Sequence, residues 1–179
     1  HTNDRRQRQM CIRDSLKQVS ISSASSSVRI TDVFDNQYDI YKVTALYDNS
    51  AGNVVKTQMI DASGSTISSS NYDWFVMQNR PGGTYQEQAS QNQDNWRMSY
   101  EGTEGFFMVS HIFDPFSSTN NTQYTSQQSG YYGGSGVGHL NTHGGGTLTE
   151  TTSCTGISFT AVGSNFDSFV CNVYGLRED

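Results

Sequence analysis

Tyr38-Asp39-Ile40-Tyr41-Lys42-Val43-Thr44-Ala45-Leu46-Tyr47 decides the fold class. Tyr41, Val43, Ala45 and Tyr47 fall on one face of this run, and Ile40, Lys42, Thr44 and Leu46 on the other. Apolar residues at every second position are the mark of a half-buried β-strand, since a helix would space them by three and four. The run stops at Asp48-Asn49-Ser50-Ala51-Gly52, and an extended stretch resumes at Asn53-Val54-Val55-Lys56-Thr57-Gln58-Met59-Ile60. Two extended runs around residues that favour turns predict a hairpin.

The same punctuation recurs on both sides. Gln18–Ile21 and Ser27–Thr31 are short β-rich runs split by serines. Asn71–Met77 reads as a buried strand or one helical turn, and Arg80-Pro81-Gly82-Gly83 breaks whatever precedes it. Gln86 to Asn95, rich in Gln and Asn and without an apolar face, reads as a surface loop. Trp96–Tyr100 alternates again. Gly105–Phe113 is the most hydrophobic run of the chain, apolar on both faces like a covered central strand, and Asp114-Pro115 ends it. A strand is expected at Gln123–Gln128. From Gly130 to Gly146 there are eight glycines, a segment read as mobile or held in tight turns. Cys154–Ala161 and Phe169–Tyr174 flank Val162–Asp167, a second expected hairpin. Nine or ten short strands without a helix predict an all-β fold, a two-sheet antiparallel β-sandwich of jelly-roll-like kind.

Composition agrees. Of the 179 residues, 34% are hydrophobic and 16% charged. That balance excludes a coiled coil, and no run approaches the roughly 20 apolar residues of a spanning helix, so membrane insertion is not expected. The first fifteen residues differ from the rest: they hold Arg5, Arg6, Arg8 and Arg13 and no apolar periodicity. Within them Met10-Cys11-Ile12-Arg13-Asp14-Ser15 resembles the translation of a transposase sequencing adapter, ATGTGTATAAGAGACAG. This implies a non-native leader over 1–15, a true N-terminus lost, and a single domain over 16–179. Setting the leader aside lowers Lys and Arg from 11 to 7 and the acidic residues from 17 to 15, so the net charge moves from −6 to −8. The remaining basic residues are scattered, which argues against nucleic acid as a partner.

Motifs for chemistry are few. His139 and His143 are four apart, but their glycine-rich setting cannot be the helix that would aim both imidazoles at one metal, so no metal is expected. Gly133-Gly134-Ser135-Gly136-Val137 fails the nucleophile-elbow pattern at its last position. His111 lies inside a hydrophobic run and reads as a core or sheet-face residue. Glu101 and Glu104 read as a solvated turn, not as an acid–base pair. No phosphate-binding glycine loop joins a strand to a helix, and no catalytic residue or cofactor is expected. Cys154 and Cys171 are expected as buried free thiols; only a bulge at Gly156 would aim Cys154 at the core with Cys171. Tyr85, Trp96, Tyr124, Tyr131 and Tyr132 offer rings on which a sugar could stack, and strand positions make most of them core. The expected ligand-contact loop therefore comprises Tyr131, Tyr132, His139 and His143.

The order of segments carries a resemblance. Tyr38–Val43, Ile112-Phe113-Asp114-Pro115-Phe116, Thr155-Gly156-Ile157-Ser158-Phe159, Gly163-Ser164-Asn165 and Val173-Tyr174-Gly175-Leu176 together resemble a loose group of virion proteins of tailed bacteriophages from environmental DNA. The likeness spans about Leu16 to the C-terminus. Asp114 stands where Asn is common before the proline, and the Gly130–Gly146 tract is long for the group. The resemblance implies a tail-fibre, head-fibre or capsid-decoration subunit of β-sandwich kind. With the all-β pattern, low charge and polar loops it leads to the expectation of a non-enzymatic protein on the particle surface, partnered by other virion proteins and able to adhere to host surface glycans. The modest hydrophobic core adds the expectation of a homo-oligomer, a trimer in a fibre. The alternative is a carbohydrate-binding module or carbohydrate-active enzyme on the same fold. An apolar stripe on a sheet face would favour subunit contacts, and a buried carboxylate pair in a cleft would favour the enzyme.

Overall fold

A computed structural model describes residues 13–49, 54–80, 84–98, 104–132 and 138–176. It is all-β, with twelve strands and no helix among the described residues. The strands are β1 (Arg13–Ile21), β2 (Ser27–Ile30), β3 (Ile40–Asn49), β4 (Val55–Asp61), β5 (Tyr72–Arg80) and β6 (Thr84–Gln93), followed by β7 (Trp96–Arg97), β8 (Glu104–Phe113), β9 (Gln123–Tyr132), β10 (Gly138–Leu148), β11 (Cys154–Ala161) and β12 (Phe166–Leu176). They form two antiparallel layers, an eight-stranded sheet in the order β1-β12-β3-β8-β9-β10-β5-β6 and a four-stranded sheet in the order β2-β11-β4-β7. The expected β-sandwich is present, with layers of unequal width.

Alternation aims the strands as the sequence implies. Tyr41, Val43, Ala45 and Tyr47 of β3 are buried between the layers, and Leu46 on the opposite face is 51% exposed. Phe106, Met108 and Ile112 of β8 and Phe169, Cys171 and Val173 of β12 extend this apolar surface. The small sheet meets it with Val28, Ile30, Met59, Ile157 and Phe159. Aromatic rings join the layers: Phe159 lies 5.3 Å from Phe169, and Trp96 lies 5.3 Å from Tyr72 and 4.6 Å from Tyr124. The Tyr72 hydroxyl ties the layers further, accepting from the Met59 amide at 3.0 Å and donating to the Ile67 carbonyl at 2.9 Å.

Both expected hairpins are corrected. β3 belongs to the large sheet and β4 to the small one, and β11 and β12 are divided in the same way. Each turn therefore carries the chain between layers, and neighbours in sequence face each other across the core. Two further strands replace expected loops. Gln86–Asn95 supplies most of β6, the edge strand beside β5, and the glycine tract supplies the end of β9 and all but the last two residues of β10, a strand paired on both sides. Backbone pairing needs no apolar side chain, so the ladder can form where alternation is silent. Glycine suits β10 because neighbours press against it: a Cβ on Gly146 would lie 2.3 Å from the Asp73 carbonyl oxygen and 2.6 Å from the Tyr124 ring.

At the N-terminus, β1 begins at Arg13, and Arg13, Asp14 and Ser15 pair with Leu176, Gly175 and Tyr174. The last three residues of the expected 1–15 leader thus belong to the large sheet, and residues 1–12 lie outside the described residues. The β11–β4 register shifts between Cys154 and Gly156, which is the bulge that turns Cys154 inward. Cys154 and Cys171 are both buried free thiols. Desolvation by burial pushes each thiol up to about 12.

Candidate functional site on the outer face of the large sheet

The expected ligand-contact residues do not form a loop. Tyr131 lies in β9 opposite His139 of β10. Tyr131 is 48% exposed, and His139 is exposed with its Nε2 2.9 Å from the Ser129 hydroxyl. His143 sits further along the same strand, between Gln127 of β9 and Met77 of β5. His139 and His143 do share a face, but four residues along a strand separate them by roughly 13 Å, too far to bind one metal. No group of three metal-ligating side chains occurs among the described residues. Tyr132 pairs with Gly138, and its side chain lies outside the described residues, as do Glu101 and Ser135. His111 is a half-buried sheet-face residue, and it shares a shallow pocket of about 240 Å³ with His143. Trp96 and Tyr124 are core residues, whereas Tyr85 is 52% exposed on the edge strand.

A larger feature lies where β9, β10, β5 and β6 run side by side. There the outer face opens into a trough of about 700 Å³. Register places Thr125, Gly145, Phe75 and Ala89 in one row across the four strands, with Gln123, Thr147 and Asp73 in the next. Gly145 makes the floor. A Cβ there would come 3.1 Å from Phe75 Cε1, so the missing side chain lets the Phe75 ring lie over the strand, and Phe75 remains 48% exposed. Amide and hydroxyl groups surround the ring: Gln91, Gln123, Thr125 and Thr147 all line the trough.

One end of the trough is fixed by a backbone irregularity. The β5–β6 register breaks between Tyr72 and Trp74, and Asn92 in the bulge has a φ of 54°. Asn tolerates the left-handed region better than most residues. The Asn92 amide donates to Asp73 Oδ1 at 2.9 Å, which holds the carboxylate at the trough's edge. Asp73 is the sole charged residue among the described residues that line it.

Sequence reasoning missed this site because three of its parts carry no chemical motif. Phe75 is hidden in an apolar run, β6 reads as a loop, and the glycines of β10 read as a flexible tract. The one available signal was three successive glycines, Gly144 to Gly146, next to residues of high β-propensity, a pattern that marks close approach when it falls in a strand.

A second surface lies on the same outer face, nearer β1. Val170 of β12, Leu46 of β3 and Phe107 of β8 are direct neighbours by register. Leu46 and Phe107 are 51% and 49% exposed, and Val170 is half-buried. They form an apolar stripe across three strands, crossing the face at the position where Ser129, Asn141 and Asn79 continue the row in the other half.

No protein-family model and no curated protein matches the chain. Among solved structures it is similar to infectious bursal disease virus of the Gt strain, at 11% identity over 97% of this chain, with a TM-score of 0.14. It is also similar to the VP2 subviral particle of infectious bursal disease virus, at 13% identity over 95% of the chain, with a TM-score of 0.13. The chain spans 43% and 42% of those two chains. Likeness at this level carries no argument about function.

Proposed function

We propose that this domain is a non-enzymatic structural subunit of a virion, of tail-fibre, head-fibre or capsid-decoration type, whose outer sheet face serves assembly and display. The observation that carries the reading is the Val170–Leu46–Phe107 stripe. Three adjacent apolar side chains on the solvent side of a sheet are costly to leave wet and are stabilised by a partner surface. The partner is a second copy of the chain in a homo-oligomer, a trimer in the case of a fibre, beside other virion proteins. Order of segments supports the same class, and adhesion to host glycans accompanies display.

Solution mass of the full chain, with Leu46→Asp and Phe107→Asp as variants, tests the reading. The wild type is expected to assemble, and each aspartate to shift the population toward monomer with the fold intact by circular dichroism. A wild type that stays monomeric at high concentration, or that hydrolyses a glycan, would overturn it.

A further inference from the structure

We infer that the trough over Gly145 binds a neutral saccharide ring, stacked on Phe75 and hydrogen-bonded by the amides, hydroxyls and the carboxylate around it. The inference gives the adhesion part of the proposed function a place and a ligand class; it does not depend on assembly. It also moves the contact from Tyr131, Tyr132, His139 and His143 to a different part of the sheet.

Three features select this ligand. A pyranose has one face of C–H groups and a rim of hydroxyls, so it needs a flat ring beside convergent donors and acceptors. Phe75 is such a ring, nearly half exposed and seated on a floor without a side chain. Gln91 and Gln123 each bring one carbonyl and one amino group, which can accept from and donate to neighbouring hydroxyls, and Thr125 and Thr147 add hydroxyls. Asp73 can accept from two hydroxyls at once, and the Asn92 amide already orients it. A volume near 700 Å³ admits an oligosaccharide of two or three units.

Charge decides against acidic sugars. With Asp73 as the sole charged residue among the described residues that line the trough, a carboxylated or sulfated sugar would meet repulsion. The trough's apolar surface is gathered around the Phe75 ring, with Trp74 and Ala89 beside it, and the amides and hydroxyls flank that surface, an arrangement that suits a ring with a hydroxyl rim. The bulge at Asn92 adds independent support, because a non-glycine residue in the left-handed region, tied to the carboxylate that faces the ligand, is backbone irregularity placed at the site.

The test uses the full chain and saturation-transfer NMR with lactose, maltotriose, cellotriose and chitotriose, followed by titration of whichever binds. Lactose is paired with 3′-sialyllactose to read the charge preference. At least one neutral sugar is expected to bind saturably, with lactose favoured over its sialylated form if lactose is the binder. Phe75→Ala is expected to weaken binding about fivefold or more through loss of stacking. Gln123→Ala is expected to weaken it without changing the melting temperature, and Tyr131→Ala to leave it unchanged. Because Phe75 and Gln123 are exposed, neither variant threatens the fold. No saturable binding of any of the four sugars at about 10 mM would overturn the inference. So would binding that survives Phe75→Ala, or that Tyr131→Ala removes. A monomer that binds sugar would refute the assembly reading alone, and an assembly that binds none would refute this inference alone.

Discussion

The two halves of the eight-stranded sheet share one antiparallel ladder and differ in what the ladder carries. Across the inner face, one row of register partners begins Cys171, Ala45, Met108 and continues Gln128, Thr142, Gln78, Gln86. The next begins Val173, Val43 and continues Ser110, Ser126, Gly144, Val76, Gln88. The β12–β3–β8 half is therefore held by apolar burial against the small sheet. The β9–β10–β5–β6 half joins the core through Tyr72, Tyr124, Leu140 and Leu148, but along these two rows it relies on its hydrogen-bonded backbone, on buried amides such as Gln128, whose Nε2 donates to the Tyr47 hydroxyl at 2.7 Å, and on glycines that let strands and rings approach. The outer face repeats the contrast, with an apolar stripe on the first half and the polar trough on the second. A sheet can carry polar rows beside its apolar core where pairing satisfies the backbone, and its outer face there is free to carry a site because the outward side chains are not needed for folding.

The largest expected effect breaks the first half. Phe169 is fully buried, stacks with Tyr47 and packs edge-on or tilted against Phe166 and Phe159, so Phe169→Ala should cost about 3–5 kcal/mol in urea unfolding. Gln78 is as deeply buried in the second half, where its Oε1 accepts from Arg80 Nε at 3.2 Å while its Nε2 has no hydrogen-bond partner; the two effects offset, so Gln78→Met should change stability by about 1 kcal/mol or less. Equal losses in the two variants would refute the division.

Smaller effects sharpen it. Gly130→Ala would set a Cβ 2.6 Å from the Phe106 ring, at the seam between the halves, and is expected to cost about 1–3 kcal/mol. Gly64→Ala, with open space around the Cβ, tests strain alone at a φ of 81° and should cost less, about 1 kcal/mol. Hydrogen exchange should show the amides of β6 opening well before those of β3 and β12, because an edge strand with polar side chains gains least from burial. Uniform protection across the sheet would show that the ladder alone sets local stability.

The smallest effect is on pH dependence. Burial raises the Cys154 and Cys171 thiols from 9.0 to about 12, so folding favours their neutral form. The raised value means that this contribution is fully present below about pH 9, where the unfolded thiols are also neutral, and is lost as pH rises toward about 12. The urea midpoint should therefore decline above about pH 9, and a thiol reagent at neutral pH should label these cysteines only as the protein unfolds. Rapid labelling of Cys154 or Cys171 in the native protein, told apart from Cys11 by peptide mapping, would show that it is open to solvent.

Alternation and turn punctuation determined most of the strand segments, the burial of Tyr41, Val43, Ala45 and Tyr47, the exposure of Leu46, and the two-layer class, because a strand with one buried face must repeat with a period of two; Asn71–Met77 stayed open between strand and helical turn. It also marked Gly156 as the place where a bulge would turn Cys154 inward. Only the tertiary structure decided which strands pair. A turn composition such as Val162–Asp167 reads the same whether the chain returns along its own sheet or crosses to the other, and here it crosses. Nor could the sequence reveal β6 and β10, whose Gln-rich and Gly-rich stretches carry no alternation since their pairing lies in backbone groups that every residue has. The trough was out of reach for the same reason. Phe75, Gly145 and Asp73 are dispersed along the chain and become one site only when β5 and β10 lie in register.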